Sequence, residues 1–288
     1  MAEVQENHVL RAHREKYQRI IAELTLFSDI LMRNVFNHPA CTQHLLRTVT
    51  GKKDLKVLEC IVQKDYKNLR GRSASLDCVA RDQNDERYDV EIQQEGKEAS
   101  PKRARYHSGL LDMNTLEPGQ DFDKLPESSV IFITKNDALG GGLPIYHIDR
   151  VISENGKTFK EKCHIIYVNA EVQNDTELGR LMHDLHCKNA DDMYSDVLAE
   201  QVRALKETEE GVNTMCKELA ELYNEGVNEG IAIGEERGIA IGEESMKREI
   251  VLSMAEMETP VEKIAQVVRE SVDLVRQWIA EGTTLAKQ

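Results

Sequence analysis

Apolar residues recur at helical spacing from Leu24 to Leu46 (Leu24, Phe27, Leu31, Val35, Phe36), which predicts a helix. Pro39 predicts a break near Asn37 and His38, with the helix resuming to Thr50 and ending at Gly51. Leu55–Val62 reads as a strand followed by a polar, basic stretch. Ser75–Arg81 and Arg87–Gln93 read as two short strands flanking Asp82-Gln-Asn-Asp-Glu86, a β-hairpin with a loop of about five residues. Ser100 and Pro101 supply an N-cap and a first-turn proline for a helix through Asp112. Ser129–Thr134 and His164–Val168 are continuous apolar runs of central-strand type, and from Asp175 the pattern is helical almost to the end. The order predicts an α/β fold with an αβββαβ core over about 24–170 and a C-terminal all-α extension. The expected divisions are an N-terminal segment (1–23), a core domain with its following helices (24–210), a glycine-repeat helix or linker (211–245) and a small helical segment (246–288).

Charge modifies this picture. The chain of 288 residues carries −14, but residues 1–150 hold 22 Lys+Arg against 23 Asp+Glu, and the remainder 15 against 28. The acidity belongs to the second half. Lys52–Arg72 holds Lys52, Lys53, Lys56, Lys64, Lys67, Arg70 and Arg72 against three acids, a local patch able to attract phosphates. One Trp and 5% aromatics argue against a stacking platform for single strands. No run approaches the roughly 18 apolar residues of a membrane span, and Met1–Leu10 lacks the features of a secretory signal, so a cytoplasmic protein is expected. The six cysteines are scattered without a C-x-x-C pair, which predicts reduced thiols rather than disulfides or a zinc ribbon.

The hairpin carries the candidate chemistry. Along Tyr88-Asp-Val-Glu-Ile-Gln-Gln94, Val90 and Ile92 point one way and Asp89, Glu91 and Gln93 the other. On the preceding strand Leu76, Cys78 and Ala80 share one face and Asp77 takes the opposite one. A hairpin centred on Asn84 puts Asp77 directly across from Glu91, with Cβ atoms roughly 4.5–5.5 Å apart. Facing carboxylates repel, and a shared Mg²⁺ resolves the conflict, because it binds one or two carboxylates together with water and a substrate phosphate. Gln93, about 7 Å further along the same face, is suited to orienting a water molecule.

Asp followed by Glu-x-Lys on the next strand is the signature of the PD-(D/E)XK nucleases. The form Asp89-Val-Glu-Ile-Gln93, with Gln for Lys, resembles the Rpn-type recombination-promoting nucleases and transposases of that superfamily. Pro101-Lys-Arg-Ala-Arg-Tyr106 resembles the family's Arg-rich helix, Ser129–Thr134 its next strand and Gly142-Leu-Pro-Ile-Tyr146 its following loop. Leu178–Leu185 and Asp192-Met-Tyr194 resemble its post-core helices. The resemblance implies a restriction-endonuclease-like fold and metal-dependent hydrolysis of DNA, with a role in recombination or transposition. It implies catalytic Asp77, Glu91 and Gln93, and Mg²⁺ or Mn²⁺ on Asp77, Glu91 and the Ile92 carbonyl. Arg103, Arg105 and Tyr106 would contact phosphates, and Asp29 would match an acidic residue of the first helix. Two positions depart from the pattern: Gln93 brings no positive charge, and His107 stands where a second Tyr is expected. A catalytically inactive module that binds DNA or mediates assembly is the second reading, and a purely structural oligomer the third.

His183-Asp-Leu-His186-Cys187 has helical spacing but no second ligand pair, and helix packing is expected there. Gly140-Gly-Gly142 lacks the Gly-Lys-Ser/Thr ending of a phosphate loop and reads as a flexible turn. Gly226, Gly230, Gly234, Gly238 and Gly242 recur every fourth position, suiting either a homo-oligomerisation helix or a semi-flexible linker. Met246–Gly282 reads as three short helices with Ile264, Val267, Val268, Leu274, Val275 and Trp278 as core, resembling a helix-turn-helix without the usual turn glycine.

Overall fold

The computed structural model describes residues 14–66 and 74–285; residues 1–13 and the basic positions Lys67, Arg70 and Arg72 lie outside the described residues. Helix α1 covers residues 14–23 of this range, followed by α2 (Asp29–Phe36) and α3 (Pro39–Thr50). The break falls at Pro39, where proline starts α3, and Gly51 ends it in the left-handed region (φ 71°), its N–H donating to the Arg47 carbonyl.

Strands β1 (Val57–Tyr66), β2 (Ala74–Asp82) and β3 (Arg87–Gln93) follow, then α4 (Pro101–Met113), β4 (Ser128–Thr134), β5 (Ile145–Ile148) and β6 (Cys163–Asn169). They form one sheet in the order β1-β2-β3-β4-β6-β5. The β1/β2, β2/β3 and β5/β6 pairs are antiparallel, and β3/β4 and β4/β6 are parallel. Every residue of β4 is buried, as its unbroken apolar run predicts for a strand covered on both faces. Both margins of the sheet are irregular. β5 has four residues, and β1 shifts register between Val57 and Glu59 and places Gln63 at φ 49°.

The β2–β3 hairpin is tied by the buried Asp82, whose Oδ1 accepts the N–H groups of Asn84 and Glu86, both at 2.9 Å. Cys78 pairs with Val90, Val79 with Asp89 and Ala80 with Tyr88, so the ladder is centred on Asn84 as the polar loop predicts. Cys78, Ala80, Tyr88, Val90 and Ile92 join the main core beneath the helices. Leu76 does not follow them, contrary to the alternation: it packs with Val79, Leu110 and Leu111. The alternation breaks at Asp77, whose backbone N–H donates to the Glu91 carboxylate at 3.0 Å.

After β6 come α5 (Glu177–His186), α6 (Asp196–Glu207) and α7 (Glu209–Glu256). The chain divides into two compact units, one ending at Leu219 and the other beginning at Ala220. The first takes in more than residues 24–210. Ile21 and Met215 are both buried in its core, and Glu218 Oε2 accepts from Arg33 (3.0 Å) and Asn34 (2.8 Å).

In the second unit α7 is unbroken through Met246, so no separate helix starts there; α8 (Val261–Val268) and α9 (Val272–Leu285) follow. Its core holds Val251, Ile264, Ala265, Val268, Val275 and Trp278, whereas Val267 is exposed. Arg269 makes the turn between α8 and α9 at φ 57°, the strained position where a glycine was missing. Among the described residues no helix is long and apolar enough to cross a membrane.

Candidate metal and phosphate site

The site lies on the sheet face covered by α4. The parity of β3 sends Asp89, Glu91 and Gln93 to this face, and the hairpin brings Asp77 beside them. Gln93 links the two strands: its Nε2 donates to Asp77 Oδ2 at 3.1 Å and to Glu91 Oε2 at 3.2 Å. The Ile92 N–H also donates to Asp77 Oδ2, at 3.3 Å, so the Ile92 peptide lies beside the carboxylates. Helix α4 starts with the Ser100 side chain accepting the Arg103 N–H. That start places Arg103 and His107, one turn apart, against the acids.

Burial dominates the electrostatics. Glu91 and Asp89 are both 0% exposed. Burial, then the neighbouring Glu91 charge, pushes the Asp77 carboxyl up to about 7. Burial, then Asp89, pushes Glu91 up to about 7 as well. Asp89 is held well above the carboxylate range by burial and by Asp77. Against these three acids stands Arg103, whose Nη2 donates to Glu91 Oε2 at 2.9 Å. His107 is driven below its ordinary value, first by burial, although Glu91 pulls the other way.

The expected residues are therefore not all assembled. Asp77, Glu91, Ile92, Gln93 and Arg103 come together. Asp29 is 61% exposed, hydrogen-bonded to Gln63, and near enough for its charge to raise Asp77. Arg105 and Tyr106 lie on the exposed side of α4, since Arg105 is about 200° around the helix from Arg103. Asp89 and His107 were not among the expected site residues, although parity put Asp89 on the Glu91 face and His107 follows Arg103 by one helical turn. Together Asp89, Glu91 and His107 hold ligand atoms within 4.8 Å of one another, and Asp89 Oδ1 is buried with no hydrogen-bond partner.

These features fit a hard divalent cation: carboxylates whose charge is disfavoured first by burial and then by one another, with one oxygen orphaned. A second group, His183, Asp184 and Cys187, is equally compact. There, however, both Asp184 oxygens accept backbone N–H groups, from Tyr194 and Ser195 at 2.8 Å each, which makes the group a packing element.

Residues 40–224 match the family described as PD-(D/E)XK nuclease family transposase. No curated protein and no solved structure matches the chain.

Proposed function

Because the chain belongs to the PD-(D/E)XK nuclease family transposases, we propose that it is a metal-dependent DNA endonuclease, acting in recombination or transposition, with Asp77, Glu91 and Gln93 as its catalytic residues. The observation that carries this reading is the pair of largely buried carboxylates from adjacent strands, Asp77 and Glu91, bridged by one Gln93 amide. Asp77, Glu91 and the Ile92 carbonyl would hold Mg²⁺ or Mn²⁺, which when bound lowers the pKa of water and neutralises charge on the scissile phosphate.

The chain's own residues supply the rest. With its Nε2 committed to the carboxylates, Gln93 offers its Oε1 as an acceptor that orients a water O–H. Gln93 carries no charge, so Arg103 takes over the cationic contribution, its planar guanidinium being suited to a phosphate oxygen pair. Arg105 and Tyr106, on the outer side of α4, are proposed to contact DNA further from the reacting bond.

Incubation of supercoiled plasmid with the protein and Mg²⁺ or Mn²⁺ should give nicked or linear product, and EDTA should abolish it. Asp77→Ala and Glu91→Ala should each slow cleavage by roughly 10²–10³-fold. Intact plasmid under every metal condition, with DNA still retarded on a gel, would favour the alternative of a non-cleaving DNA-binding module.

Self-association through residues 226–245 is proposed on a separate observation. Ile231, Ile233, Ile239 and Ile241 are exposed on α7, and nothing lies within 4 Å of a Cβ placed on any of the five repeated glycines. Light scattering should give a mass above the 32.7 kDa of one chain. Replacing the four isoleucines by Gln should return it to the monomer value.

A further inference from the structure

His107 completes a hydrogen-bonded circuit that the triad of Asp77, Glu91 and Gln93 does not include. It is 2% exposed, and its Nδ1 lies 3.0 Å from Asp89 Oδ2. Its Nε2 faces the Nε of Arg103 at 3.3 Å. Arg103 in turn donates from Nη2 to Glu91 Oε2 at 2.9 Å and from Nη1 to the Glu98 carbonyl at 3.2 Å.

The donor inventory fixes the proton on His107. An arginine Nε–H can only donate, so Nε2 of the imidazole must be the bare acceptor. The ring proton then sits on Nδ1 and is donated to Asp89. An imidazolium would set two N–H groups and two cations against each other across the Arg103 contact, so the neutral ring is the form this geometry holds.

The same count applies to Arg103. Of five N–H groups, one is spent on His107, one on Glu91 and one on Glu98, leaving one on each terminal nitrogen. The Arg103 side chain is 36% exposed, so this guanidinium reaches solvent although it is paired with a buried carboxylate.

We propose that Asp89 and His107 are a positioning pair: they lock Arg103 in one orientation, so that its two unused N–H groups engage a DNA phosphate beside the Asp77–Glu91 carboxylates. This inference rests on the nuclease reading for the identity of the anion, but not for the circuit itself. A histidine here does for the arginine what outer carboxylates do for metal-bound imidazoles, namely fix the orientation of the group that donates to it. It also accounts for Gln93 in place of Lys, because a fixed Arg103 provides the charge from the helix side.

Two measurements separate the circuit from the reaction. The first is ¹⁵N NMR of the full chain at pH 7, with the His107 and Arg103 signals assigned from the His107→Gln and Arg103→Lys spectra. The expected result is a protonated Nδ1 and a bare Nε2 on His107. A proton on Nε2, or on both nitrogens, overturns the proposal whether or not the protein cleaves DNA.

The second is cleavage kinetics on a duplex oligonucleotide. His107→Leu should raise KM by about 10-fold or more with a smaller change in kcat, Asp89→Ala should do the same because it leaves the Nδ1–H without its acceptor, and His107→Gln should restore most of the loss. Gln offers an N–H for Asp89 and an oxygen for Arg103, so it keeps the circuit. Unchanged KM in His107→Leu, in protein that melts within a few degrees of wild type, also overturns the proposal. A wild-type chain with the Nδ1–H tautomer but no cleavage would sink the nuclease reading and leave the circuit standing.

Discussion

Replacing Asp77 with Asn should raise the melting temperature of the metal-free protein at pH 8 by roughly 3–8 °C while slowing metal-dependent cleavage by roughly 10²-fold or more. The two effects share one cause. Asp77 and Glu91 are pushed up to about 7, first by burial and then by the neighbouring acids. In the unfolded chain both titrate near 4. Between about pH 4 and 7 the folded state therefore binds more protons than the unfolded one, and stability falls as pH rises through that window.

Above about 7 the full penalty is present, on the order of 1–3 kcal/mol for Asp77. Asn removes the charge and still offers an oxygen to the Ile92 N–H. Scanning calorimetry in EDTA at pH 5 and pH 8 should show the mutant's advantage shrinking at the lower pH. Saturating Mg²⁺ should reverse the ranking at pH 8, because only wild type gains binding energy. A mutant that melts below wild type in EDTA at pH 8 would refute this account of the pocket.

Asp184→Ala should cost about 3–5 kcal/mol of stability, as much as truncating a large core side chain. Asp184 is 1% exposed, and its two oxygens accept the backbone N–H groups of Tyr194 and Ser195. It thereby ties the end of α5 to the turn that opens α6, where Ser195 accepts the Leu198 N–H. Truncation leaves two peptide donors unpaired and removes the charge that compensated them. Urea titration of the full chain measures the loss; Asn should recover part of it, since its single oxygen can serve one of the two donors. A value within 1 kcal/mol of wild type would show that the turn does not depend on Asp184.

The geometry of the hairpin was readable because two local rules agree there. A polar loop of odd length fixed its centre at Asn84 and strand alternation fixed the faces of β3; the ladder ends at the Cys78–Val90 pair, and in place of a direct Asp77–Glu91 pairing the Asp77 N–H donates to the Glu91 carboxylate. The break at Leu76 was hidden, since it arises from a side-chain oxygen of Glu91 capturing the Asp77 N–H, a contact between strands that no periodicity encodes. β5 went unread because four residues after a glycine-rich turn carry too little pattern to separate from loop.

His107 was visible as a departure from the family pattern, but its meaning depends on Asp89 lying 3.0 Å away across two elements. Met215 is legible only in three dimensions. The family resemblance covers about residues 24–210, and the burial of this methionine and the Glu218 contacts with Arg33 and Asn34 belong to a first unit that runs to Leu219.

The irregular margins of the sheet have a consequence for behaviour in concentrated solution. An open strand edge is a template on which another chain can grow. Here one edge is only four residues long, and the other is kinked twice, at the Val57/Glu59 shift and at Gln63. Neither offers the long, flat row of donors and acceptors that cross-β stacking requires. Crowding the first unit should therefore leave it free of amyloid-like precipitate, with the fast-growing fibrillar route closed by the backbone rather than by surface charge.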